Sequence, residues 1–145
     1  MRLVRPASLA LAVTVVVACA PRAVLQPVVT ASGLTYTVVQ EGVGESARPG
    51  QYVSIRETTA LKDGTVHFTT DGRAPVRFLL GGNQVIDGLD EGVTCMKVGE
   101  RRRMVIPPAL SRRSAYPAGL DPNATLYYDV TVVAIEDGPK APPVR

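Results

Sequence analysis

Apolar and polar residues alternate along much of the chain, the pattern of strands with one face in a core and one in water. Leu34–Val38 alternates in this way, and Tyr52–Leu61 (YVSIRETTAL) repeats the pattern. Lys62-Asp63-Gly64 then supplies a hairpin turn, because glycine adopts positive φ without steric cost. Thr65–Phe68 reads as the return strand, and Thr69–Pro75 as a loop. Val76–Leu80 is a short apolar strand stopped by Gly81-Gly82. Glu100–Ile106 and the long Ala124–Glu136 complete the set.

One segment has a different period. Val85, Leu89 and Val93 recur every four residues with Ile86 beside them, which predicts a short helix. Asn83 is the expected cap, and Asp90 and Glu91 suit the outer face. Gly88 and Gly92 lower helix propensity, yet share one face where a sheet can approach closely. Mostly antiparallel strands around one helix make an α+β domain.

The first residues have another purpose. Arg2 and Arg5 precede the apolar run Ala7–Ala18, too short to cross a bilayer as a helix but suited to a secretory signal over residues 1–18. Val16-Val17-Ala18-Cys19 resembles the lipobox of bacterial lipoproteins, in which the cysteine is acylated. Ala18-Cys19-Ala20 also fits ordinary signal-peptidase cleavage, although Pro21 would then follow the cut. Both readings export the domain; the first adds a membrane anchor at Cys19. Residues 19–31 read as anchor and linker, 32–137 as the domain, and the Pro-rich 138–145 as a flexible tail.

Composition adds exclusions. A chain of 145 residues with 46% hydrophobic and 20% charged positions has room for one core. Two Cys and one His exclude a disulfide-dense scaffold and a structural zinc site. Without residues 1–18 the formal charge falls from +3 to +1, so basicity is no nucleic-acid signal. Arg101, Arg102, Arg103, Arg112 and Arg113 do cluster in sequence, either as a solvated strand edge and loop or as a patch for acidic lipids or partners. With Cys19 acylated, Cys95 is expected to be a buried free thiol.

Val85–Pro108, VIDGLDEGVTCMKVGERRRMVIPP, resembles the signature of FKBP-type peptidyl-prolyl cis-trans isomerases. The hairpin Leu61–Val66, the segment Phe78–Gly81 and Pro122–Leu126 agree with it in order and spacing, over about residues 32–137. The resemblance implies a five- or six-stranded antiparallel sheet wrapped around one short helix, with no cofactor and no metal. It implies isomerisation of X-Pro bonds in proline-containing polypeptide clients; with the signal-like residues 1–18, the expectation is a monomer of the cell envelope or periplasm acting on exported proteins. Position by position, it gives Ile86 the backbone N–H that holds the substrate carbonyl, with Val85 beside it and Leu89 as the apolar floor. Phe68, Val76, Phe78, Leu120 and Tyr128 belong to the walls, and Tyr116 is the candidate hydroxyl beyond the double proline.

The departures lie around the same pocket. Glu57 stands where the family has Tyr, in phase with Val53, Ile55, Thr59 and Leu61 and therefore facing inward. An ungapped reading puts His67 at the family's aromatic position; a one-residue slip would put Phe68 there and leave His67 as an insertion. Spacing through Pro75 and Phe78 favours the ungapped reading. Glu57 and His67 are expected to interact and make the pocket mouth polar; the alternative is an outward twist that solvates Glu57. These changes imply reduced catalysis, or a binding and chaperone module that keeps the groove. A structural envelope lipoprotein, with the fold as scaffold, is the third reading.

Overall fold

The computed structural model describes residues 19–20 and 24–140. The signal reading of residues 1–18, part of the linker (21–23) and the end of the tail (141–145) lie outside the described residues. Seven strands form one antiparallel sheet: β1 Pro27–Val29, β2 Thr35–Gln40, β3 Tyr52–Ala60, β4 Val66–Thr69, β5 Val76–Leu79, β6 Arg101–Ile106 and β7 Leu126–Glu136. Their order is β1-β2-β6-β7-β3-β4, with β5 also pairing with β3. Among the described residues a single α-helix, α1 Asp87–Val93, packs against the sheet, with its glycines on Ile106 and Met104. The α+β expectation is borne out.

Alternation places the core. Val53, Ile55, Glu57 and Thr59 of β3 are buried, as are Leu126, Tyr128, Val130 and Val132 of β7. Thr59 lies opposite Tyr128 and Glu57 opposite Val130, so these side chains share one face. The two helix glycines act as expected. A Cβ on Gly88 would come within 2.5 Å of Ile106, and one on Gly92 would collide with Met104, so hydrogen at these positions seats α1 on β6.

Four local readings are corrected. Asn83 does not cap α1: it sits in a left-handed turn at φ 53°, while Ile86 occupies the cap position and no side chain bonds the free amides. Part of the supposed linker, Pro27–Val29, pairs with Thr35–Thr37 of β2 as an edge strand, where proline costs no ladder bond. Cys95 is not a free thiol but is disulfide-bonded to Cys19, 76 residues away in the chain. A sulfur in that bond carries no lipid thioether, so the disulfide and acylation at Cys19 are alternative fates of one atom.

The arginine cluster is the fourth, for it divides between three places. Arg101 and Arg103 grip Asp129 on the outer face at 2.7 and 3.4 Å. Arg102 points inward, 3% exposed, bonded to Glu100 at 2.6 Å and to the Gly92 carbonyl at 3.0 Å. Its guanidinium also lies 4.6 Å from the Tyr36 ring centre, and it closes the C-terminal end of α1. Arg112 and Arg113 follow the 3-10 turn Pro108–Leu110 and stand at a cavity. Alternation along β6 alone separates Arg102 from its neighbours.

Candidate functional site

Five elements converge beside the start of α1. β3 contributes Glu57 and Thr59, β4 His67 and Phe68, β7 Leu126 and Tyr128, the turn into α1 Val85 and Ile86, and the loop after β6 Arg113 and Leu120. Two neighbouring cavities of about 390 and 400 Å³ share Glu57, Arg113 and Tyr128, and make one groove with two lobes. The first runs from Val85, Ile86 and Leu89 to Arg112 and Ser114. The second is more apolar, between Phe68, Pro117, Leu120 and Leu126.

Ile86 is positioned by its own backbone. Its carbonyl accepts the Leu89 and Asp90 amides at 3.0 and 3.1 Å and so begins the helix. Its N–H, preceding the first turn, gives no hydrogen bond to any described residue. A donor held rigidly at the edge of an apolar floor is what a substrate carbonyl needs. Leu89 beneath it is 3% exposed.

Glu57 is inside, as its phase in β3 requires, with 9% exposure. Thr70 clamps its backbone: the Glu57 N–H donates to the Thr70 hydroxyl at 3.0 Å and the Glu57 carbonyl accepts the Thr70 amide at 2.9 Å. The carboxyl is less well served, since its buried Oε2 has no hydrogen-bond partner. Burial pushes its pKa from 4.5 up to about 7, against the opposing charge of Arg113. Burial also raises the Tyr128 hydroxyl, and Glu57 adds to that rise while Thr59 and Arg113 oppose it.

His67 lines the second lobe with Glu57, but no hydrogen bond or ion pair joins the two among the described residues. The expected pair is therefore corrected to two groups facing one cavity. A bulge in β4 explains their separation: Phe68 lies opposite Thr59 and Val66 opposite Ala60, which leaves His67 as the extra residue. Both aromatic candidates thereby reach the same lobe.

Val85, Ile86, Leu89, Glu57, His67, Phe68, Leu120 and Tyr128 are brought together as expected. Three candidates are not. Phe78 lies opposite Val53 and is a core residue with 2% exposure, outside the groove lining. Val76, two residues before it on β5, packs against the core without reaching either lobe. Tyr116 lines neither lobe but an adjoining hollow that it shares with Arg112 and Arg113, and its ring centre is 5.9 Å from the Arg113 guanidinium. The arginines take the place at the groove that the sequence reading gave to this tyrosine. Their place four and five residues beyond Pro108, in the loop expected to hold this tyrosine, was the available signal.

A family model described as FKBP-type peptidyl-prolyl cis-trans isomerase matches residues 44–133. The FkpA isomerase of Escherichia coli is 35% identical over 113 residues, covering 77% of this chain and 41% of that protein. Peptidyl-prolyl cis-trans isomerase FKBP10 of Homo sapiens is 39% identical over 99 residues, 68% of this chain, and the match spans only 17% of its length. FK506-binding protein 1 of Dictyostelium discoideum is 36% identical and is covered over 99% of its length, against 72% of this chain. The crystal structure of FkpA superposes with a TM-score of 0.69 at 33% identity, over 78% of this chain and 53% of that one. By the family model, by the relatives and by the superposed fold, the chain belongs to the FKBP-type peptidyl-prolyl cis-trans isomerase family.

Proposed function

We propose that this domain isomerises X-Pro bonds of exported polypeptides, at a rate reduced by the remodelled pocket. The observation that carries the reading is the unused Ile86 N–H beside the apolar floor of Leu89. Rotation about an X-Pro bond must break amide resonance, a barrier of about 18–20 kcal/mol. The twisted amide has lost conjugation and is less polar than the planar one, so a dry pocket favours it. The Ile86 amide holds one carbonyl while the prolyl ring turns against Leu89 and Tyr128. No covalent intermediate is needed.

The reduction follows from Glu57. A carboxyl that ionises near neutrality, with one oxygen unpartnered, retains water where the prolyl ring needs an apolar wall. The same observation favours a second reading, a binding or chaperone module in which catalysis has been given up. A protease-free isomerisation assay separates them, run beside a Glu57→Tyr/His67→Phe variant. Turnover by the native protein supports the enzyme; turnover by the variant alone supports a groove kept for binding.

Export is supported by the signal-like residues 1–18 and by the Cys19–Cys95 disulfide, a bond that persists in oxidising compartments. Thiol alkylation before and after reduction tests the bond. A lipid-carrying Cys19 with an alkylatable Cys95 would instead support the membrane anchor.

A further inference from the structure

The arginines divide by whether a carboxylate meets them. Arg101 and Arg103 share Asp129, and Arg102 has Glu100. Arg112 and Arg113 have no ion pair within 4 Å among the described residues; Arg113 bonds the Ser111 carbonyl at 3.5 Å, lies 5.9 Å from the Tyr116 ring centre and faces Tyr128 and Glu57. Both line the lobe that holds Ile86, with the neutral Asn83, Gln84 and Ser114 completing the rim. Glu57 is the one carboxylate lining either lobe. Its ionisation near neutrality leaves Arg113 only partly compensated even there.

Resting on the isomerase reading above, we propose that Arg112 and Arg113 are specificity residues that select clients with an acidic side chain at X of the X-Pro bond. The Ile86 donor and the two guanidiniums line one lobe, so a carbonyl held by the first brings the adjacent side chain beside the others. Arg112 is exposed and without an ion pair, so it gives up little on meeting a carboxylate, and its planar fork matches that group in shape; the half-buried Arg113, shared with Glu57, adds a second positive charge beside it. A lysine at X meets two like charges. The two positive charges also raise the encounter rate of acidic segments, an effect that salt screens. The acid chemistry belongs to the client, and the prolyl pocket is not required to change.

The test uses three peptides, Glu-Pro, Gln-Pro and Lys-Pro, blocked at both ends so that X carries the only charge. With the full protein, kcat/KM for Glu-Pro should exceed that for Gln-Pro by roughly fivefold, with Lys-Pro lowest. Molar salt should compress the ranking. In an Arg112→Gln/Arg113→Gln variant, shown to be folded by its thermal melt, the three values should converge. Equal values in the native protein overturn the proposal, as does a ranking that survives in the variant. If no X-Pro peptide turns over, the isomerase reading fails separately. Equilibrium affinities for the same peptides then decide the selectivity: preference for Glu-Pro that the variant loses upholds it, and equal affinities overturn it.

Discussion

Two buried carboxylates, one on β3 and one at the entry to β6, show how differently the same fold treats a charge. Glu100 is 6% exposed and fully engaged, with Arg102 at 2.6 Å on one oxygen and the Lys97 amide at 3.0 Å on the other. Glu57 is 9% exposed, and one of its oxygens meets nothing. The first links β6 to the C-terminal end of α1, because Arg102 reaches on to the Gly92 carbonyl. The second projects into the groove. A buried charge with every bond made is part of the framework; one left incomplete at a cavity marks where stability has been given up beside a binding site.

The largest effect should come from breaking the satisfied pair. Arg102→Met leaves Glu100 buried beside the uncapped Gly92 carbonyl and should cost about 3–5 kcal/mol in a denaturant titration. Adding Glu100→Gln should recover part of that loss, since no bare charge then remains. Failure of the single variant to destabilise would remove the distinction drawn between the two sites.

Glu57→Gln tests the other half, with the opposite sign. The folded state holds the Glu57 proton up to about pH 7, whereas the unfolded chain releases it near 4.5. Between those values the folded state binds more protons, so native stability falls as pH rises, and the full cost is present above pH 7. The glutamine variant should therefore be the more stable protein above pH 7, by about 3 kcal/mol. That advantage should shrink toward zero below pH 4.5, as followed by melts across pH.

Gly88→Ala sharpens the comparison by disturbing the helix seat without touching either charge. Its Cβ would press on Ile106, costing about 1–3 kcal/mol in a thermal melt with no pH dependence between 4.5 and 7. The smallest effect belongs to Arg77→Ala. Arg77 bonds Glu136 at 2.7 Å, but both side chains are about half exposed. Its loss should cost at most about 1 kcal/mol, and high salt should remove the ion-pair part while leaving the part due to stacking on Tyr52 at 3.8 Å.

How much was readable in advance depended on whether the signal was local. The strands of the core appeared at nearly their observed bounds, because alternation reports burial on one face directly. Pro27–Val29 escaped because three residues carry too little pattern, and a proline there reads as linker. Most of the groove was found through the motif around Val85–Leu89 and the phase of Glu57. Arg112, Arg113 and the true place of Tyr116 were not, since a loop has no period from which to compute direction.

The chain by itself determined the inward face of β3, and with it the burial of Glu57, because a strand's period of two admits no other placement once Val53 and Ile55 are inside. It likewise determined the small contact face of α1, since only Gly88 and Gly92 leave room for Ile106 and Met104. Tertiary structure alone decided which charges found partners. Glu100 and Arg102 are two residues apart and meet at the start of β6, but Cys19 meets Cys95 across 76 residues. Arg113 is set against Glu57 from a different loop. Hydrophobic period is a property of neighbours in sequence. Electrostatic satisfaction is a property of neighbours in space, and only the folded sheet with its helix and loops brings those together.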